Sequence, residues 1–207
     1  KGGCGKTTVA LGVGQALGTT TGRSLVVDTD RDMPNLHRRA GVDPTFGITD
    51  ITATADPATV AQGATTVENV DVLPCQAASE AAVGNAIDRL SRCDRPVVLD
   101  CPAGAGPDAA APLRAADATL LVTTLCAPAL RDAVKTAAMA RTLDAPVCGV
   151  VLTRTRSAPD AVTDLLDCPV AASVPPADPP ILDDERVRHA YRRLATNLGE
   201  DLLASQA

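Results

Sequence analysis

Three short stretches of this chain hold residues whose types and spacing suit phosphate chemistry. The first, Lys1 to Thr8, reads Lys-Gly-Gly-Cys-Gly-Lys-Thr-Thr and closes on Gly-Lys-Thr, the end of a phosphate-binding loop. In such a loop the backbone N–H groups of Gly2, Gly3, Cys4, Gly5 and the following Lys6, Thr7 and Thr8 curl around an anion. The next helix points its positive end at the same place. Glycine lets the backbone come close because no side chain stands in the way. Lys6 is expected to reach the β- and γ-phosphates of a nucleotide, and the Thr7 hydroxyl to hold Mg²⁺.

The second stretch is Val26-Val27-Asp28-Thr29-Asp30-Arg31-Asp32-Met33-Pro34-Asn35-Leu36. An apolar strand here delivers Asp28 and Asp30 to its C-terminal end, where open α/β sheets bind ligands. Taken alone, acidic residues after a strand serve equally well as a helix N-cap. The third stretch, Val97-Val98-Leu99-Asp100-Cys101-Pro102-Ala103-Gly104, is an apolar strand ending in Asp. That is the arrangement in which Asp100 holds Mg²⁺, usually through water.

The elements that must position these residues are legible as apolar runs ending in turn or acidic residues. They are Ser24–Asp28, Val70–Leu73, Pro96–Asp100, Ala118–Thr124, Val147–Thr153 and Val170–Val174. Continuous rather than alternating apolar strands are buried on both faces. The pattern predicts an α/β fold, a mostly parallel twisted sheet with helices on both faces, in one domain spanning residues 1–207. Helices are expected over Thr7–Leu17, Leu130–Leu143 and Asp184–Leu203, the last with Val187, Tyr191, Leu194, Leu198 and Leu202 facing the core. The Pro-rich stretch Val174–Pro180 reads as a loop. A phosphate loop joins a buried strand to a helix, so a strand is expected ahead of Lys1. It is not in the sequence, and the expectation is that a short N-terminal segment is missing. A protein starting at Lys1 would leave the sheet without its central strand.

Composition narrows the function classes. Hydrophobic residues at 45% and charged residues at 21% are ordinary for a globular protein, but aromatics are only 1%, with Phe46, Tyr191 and no Trp. Recognition of nucleic acid by base stacking therefore has almost nothing to use. Lysine occurs only at Lys1, Lys6 and Lys135, against sixteen arginines, so two of three lysines fall in one eight-residue motif. The acidic, Asp- and Arg-rich balance, net −6, resembles proteins of salt-adapted haloarchaea, and GC-driven codon bias accounts for Arg over Lys equally well. Seven cysteines show neither a C-x-x-C pair nor zinc spacing, and read as small buried fillers in a reducing cytoplasm. No apolar run is long enough to span a membrane.

Taken together, the three stretches resemble the MinD/ParA family of deviant P-loop ATPases, most closely MinD-like proteins. The extra lysine, Lys1, matches that family's signature lysine. Asp28-x-Asp30 with Asn35-Leu36 matches its switch I, and Asp100-Cys101-Pro102-Ala103-Gly104 its switch II. Ala116-Asp117, Val122-Thr123-Thr124 and Arg131-Asp132-Ala133 continue the likeness, although Leu125-Cys126 stands where the family has Pro-Glu. The resemblance implies a P-loop NTPase fold and slow ATP hydrolysis with Mg²⁺ in an ATP-bound homodimer. It implies that Lys1 completes the partner's site, that Asp30 orients the attacking water, and that Asp28 supports the Mg²⁺ shell. It also places Thr153, Arg154 and Pro175 near the adenine.

The process implied is spatial positioning in the cytoplasm, with recruitment to a pole or membrane by a protein partner. The chain ends without a Lys/Arg-rich apolar extension, so no autonomous membrane anchor is expected. The cluster Arg186, Arg188, Arg192 and Arg193 reads as a solvated helix face, against DNA binding. A partition ATPase and a nucleotide-dependent scaffold with negligible turnover stay open as alternatives.

Overall fold

The computed structural model describes residues 3–51 and 56–204; Lys1 and Gly2, both expected site residues, lie outside them. From the phosphate loop the chain runs through α1 (Lys6–Thr21), β1 (Ser24–Asp28), α2 (Leu36–Ala40), α3 (Pro57–Val60), β2 (Gln62–Gly63), β3 (Val70–Leu73), α4 (Glu80–Leu90) and β4 (Val97–Asp100). Then come α5 (Ala110–Ala115), β5 (Thr119–Thr123), α6 (Ala127–Thr142), β6 (Val147–Thr153), α7 (Asp160–Leu166), β7 (Val170–Val174) and α8 (Glu185–Ala204). The strands form two sheets, ordered β2-β3-β1-β4 and β5-β6-β7. Every pairing is parallel except the short β2 against β3.

Burial explains why the strands lie where the apolar runs are. Leu25, Val26 and Val27 of β1 are all fully buried, so both faces of this strand are covered. Leu25 and Val27 pack with Leu73, Val83, Ile87 and Leu90 on the α4 side, while Val26 packs with Ala10, Leu11, Val70 and Val72 on the α1 side. The expected core face of α8 is present at Val187, Tyr191 and Leu194, which join Val9, Val13, Val151 and Val174. Leu198 packs against that cluster, and the Leu202 side chain lies outside the described residues. Gly12 makes room for the chain's one tyrosine: a Cβ there would stand 2.3 Å from the Tyr191 ring. The cysteines depart from the reading as buried fillers. None is disulfide-bonded, only Cys75 and Cys168 are buried, and Cys126 is exposed.

The sheet is interrupted between β4 and β5, which share no ladder. A cavity of about 1460 Å³ runs there, lined by Val97 and Leu99 of β4, Leu120 and Val122 of β5, and Val13 and Leu17 of α1. Its upper end reaches Gly3 and Cys4 of the phosphate loop, so it lies where a strand leading into that loop would run. At its foot Thr119 Oγ1 and the Nε and Nη2 of Arg95 are buried without a hydrogen-bond partner among the described residues.

Candidate functional site

The site is assembled where α1 meets the C-terminal ends of β1 and β4. Gly5, the residue before α1, sits at φ 91°, a left-handed backbone that glycine adopts without strain. No side chain caps α1 and its first turn holds no acid. Two helices are capped by a side chain, Ser79 accepting from the Ala82 N–H at α4 and Asp56 from the Ala58 N–H at α3, while α2, α5, α6 and α7 share the uncapped start of α1 without its Gly-Gly-Cys-Gly approach. The opening N–H groups of a 16-residue helix are thus left to an anion, with the helix dipole adding to the attraction.

The loop is buttressed from β6. Thr153 Oγ1 donates to the Cys4 carbonyl at 2.7 Å and lies 3.3 Å from the Thr123 carbonyl. The Arg154 guanidinium donates to the Gly3 carbonyl. The two residues expected on the adenine side thus also hold the phosphate loop through its carbonyls. Thr153 pairs with Val174, and the Thr155 N–H donates to the Val174 carbonyl at 3.0 Å. Pro175 therefore follows directly on the same rim. On that rim too, Thr124 Oγ1 lies 3.2 Å from Cys126 Sγ. This contact with the Thr124 hydroxyl, then the Ala129 N–H and the Arg154 charge, pull the exposed thiol below its ordinary value.

The acidic side is built by register. Asp28 and Asp100 are paired neighbours at the ends of β1 and β4, and both are buried. Asp28 is fully engaged by the loop that follows it. Its Oδ1 accepts from the Asp30 N–H at 3.0 Å, and its Oδ2 from the Asn35 and Leu36 N–H groups at 3.2 Å each. The carboxylate expected in the Mg²⁺ shell is here the clasp that shapes residues 29–36, and it serves the start of α2 as a remote cap. Burial raises its affinity for a proton, opposed by those backbone hydrogen bonds. Asp30 is half-buried; its Oδ1 accepts from the Met33 N–H at 3.0 Å and its carbonyl from the Cys75 thiol at 3.4 Å.

Asp100 faces the phosphate loop directly, in hydrogen-bond contact with the Thr7 side chain and within electrostatic reach of Lys6, Asp28 and Asp30. Burial pushes it up to about 7, with the Thr7 hydrogen bond and Lys6 pulling down and Asp28 pushing up. Because the unfolded value is about 3.9, folding binds a proton between about pH 4 and pH 7. This carboxyl's contribution to stability therefore falls as pH rises through that window and is flat above it. Denaturant midpoints of the nucleotide-free protein are expected to drop from pH 5 to pH 7, and Asp100→Asn to flatten that profile. Identical slopes for the two proteins would show the carboxyl ionised throughout.

Lys6, Thr7, Asp28, Asp30 and Asp100 are thus brought to one place, with Gly3, Cys4, Gly5, Thr153 and Arg154 forming and supporting the loop. Sequence reasoning did not single out Cys75 as a contact of Asp30, and no motif marks it.

Comparison with known proteins places the chain among nucleotide-binding domains. The family model of the CobQ/CobB/MinD/ParA nucleotide binding domain matches residues 1–193. The septum site-determining protein MinD of Synechocystis is 25% identical over 224 residues, which take in the whole of this chain and 80% of that protein. The solved structure of the cell division ATPase MinD of Pyrococcus furiosus superposes with a TM-score of 0.77 at 29% identity, covering 97% of this chain and 95% of that one. MinD of Pyrococcus horikoshii, solved in complex with Mg-ADP, gives 0.73 at 28% identity over 96% and 92% of the two chains.

Proposed function

Because the chain belongs to the CobQ/CobB/MinD/ParA nucleotide-binding-domain family, we propose that it is a Mg²⁺-dependent ATPase acting as a dimerising switch in spatial positioning. A division site or a surface structure is the cargo class, and residues 1–207 form the single ATPase domain. The observation that carries this reading is the convergence of Lys6, Thr7 and three aspartates on the uncapped start of α1. The Mg-ADP held by the Pyrococcus horikoshii relative supports the choice of metal and nucleotide.

Phosphoryl transfer to water needs positioning and charge neutralisation, with little covalent chemistry from the protein. The loop N–H groups and Lys6 hold the triphosphate. Thr7 and Asp100 suit Mg²⁺ as hard oxygen donors, one of them a buried carboxyl that a cation would relieve. When bound, the ion neutralises charge on the phosphates. Asp28 shapes the loop, and Asp30 orients the attacking water. Pro175, with Arg154 beside it, makes the base-side wall.

Lys1 is proposed to complete the partner's site, so turnover is slow and depends on an ATP-bound dimer. The test is light scattering of Lys1→Ala in the full-length protein. Wild type is expected to shift from monomer to dimer with ATP and Mg²⁺, and the variant to stay monomeric while binding ATP. A variant that dimerises normally would sink this role for Lys1.

Partner-mediated recruitment from the cytoplasm is preferred to direct membrane or DNA contact. No helix among the described residues is long and apolar enough to cross a membrane. Three of the four α8 arginines are engaged by acids: Arg186 pairs with Asp184, and Arg188 and Arg192 share Glu185. Phosphate contacts of the kind that drive non-specific DNA binding need free cations.

A further inference from the structure

Asp30 is flanked by two residues that grip opposite ends of one facing loop. On one side, Thr29 donates both its N–H (2.9 Å) and its Oγ1 (3.0 Å) to the carbonyl of Asp100. On the other, Arg31 Nη2 lies 2.5 Å from Asp108 Oδ1, in the short helical turn Pro107–Ala109, and 3.8 Å from Glu80 Oε2 at the start of α4. Between these two grips run residues 101–107, which include Gly104 at φ 83° and Gly106. Residues 30–36 are otherwise held by hydrogen bonds with Asp28 and Cys75, by the Arg39 N–H on the Asn35 carbonyl, and by bonds within the loop.

We propose that Arg31 is a positioning residue for hydrolysis: with Thr29 it forms a two-point brace that fixes Asp30 against loop 101–107, so that the two loops move as one. The physical case rests on where the pair sits. The Arg31 and Asp108 side chains are 26% and 23% exposed, which leaves them less screened than a surface pair. Thr29 alone would fix one end of the glycine-containing loop and leave the other to swing. With both ends held, a displacement of loop 101–107 is passed to the residues on either side of Asp30. The Arg31 guanidinium is engaged by Asp108 and Glu80, so its loss should act on turnover and spare binding.

This inference rests on the hydrolytic role proposed for Asp30, and two independent readouts separate the two ideas. In steady-state assays Arg31→Ala and Asp108→Ala are each expected to lower kcat about tenfold with ATP affinity changed less than twofold. The double variant should be no worse than either single, the mark of a coupled pair. Arg31→Lys, which keeps the charge, should recover most of the loss. In hydrogen exchange of the nucleotide-free protein, Arg31→Ala should speed the amides of both 29–36 and 101–107. Additive losses, or weaker ATP binding at unchanged kcat, would overturn the brace. Should wild type turn over no faster than Asp30→Ala, the hydrolytic reading falls. The brace is then decided by exchange alone, and unaltered exchange in both segments would overturn it.

Discussion

Lys6→Ala is expected to weaken ATP binding by at least about a hundredfold, on the order of 3 kcal/mol. The reason lies in the local charge balance. Asp28, Asp30 and Asp100 all stand within electrostatic reach of one another at the end of β1 and β4, and Lys6 is the cation that faces Asp100 among them. Without it, a triphosphate would approach three carboxylates with only the helix start and the loop N–H groups to attract it. Calorimetric titration with ATP and Mg²⁺ reads the effect directly. Lys135→Ala is the control, since that side chain is exposed and pairs with Asp132, one turn away; it should bind as wild type does. Near-normal affinity in Lys6→Ala would mean that the nucleotide is held elsewhere.

The second large effect separates binding from chemistry. Asp30→Ala should bind ATP within about threefold of wild type yet lose turnover by about a hundredfold or more, the range for removing a group that handles the attacking water. Its position allows that separation. Asp30 lies on the loop and not in the helix start, and the three backbone contacts by which Asp28 shapes the loop remain when the Asp30 side chain and its bond from the Met33 N–H are removed. Phosphate release measured beside ATP titration gives both numbers from one preparation. Equal turnover in variant and wild type would favour the alternative of a nucleotide-dependent scaffold.

What the sequence revealed of this fold follows from burial. Strands β1, β3, β6 and β7 begin and end where their apolar runs do, because burial favours a near-continuous apolar run; the one charge inside them, Asp71 of β3, is paired with Arg23 and Arg95. At β4 the ladder starts one residue into the run, at Val97, since Pro96 has no N–H to give. Other elements leave fainter traces. β2 is two residues, Gln62 and Gly63, with no apolar pattern at all, and α2 is a single turn following Asn35. α4 carries a full signal, a Ser79 cap followed by Val83, Ala86, Ile87 and Leu90 at helical spacing, yet it lies outside the motifs that drew attention. In the site the acids and the loop were legible because each ends a strand or opens a helix. The bonds that hold them were not: Thr153 reaches Cys4 across 149 positions, Arg31 reaches Asp108 across 77 and Cys75 reaches Asp30 across 45. No local pattern encodes such pairs; only the topology brings them together.

The packing of α1 also bears on how stability is distributed. The sheet ordered β2-β3-β1-β4 and the sheet ordered β5-β6-β7 are covered by one shared helix. α1 belongs to both, giving Ala10 and Leu11 to the cluster around Val26 and Val70, and Val9 and Val13 to the cluster around Val151 and Val174. Local opening free energies follow such contacts. A ligand tightening the first turn of α1 would therefore raise amide protection in both sheets together, making this helix the molecule's thermodynamic hinge pin.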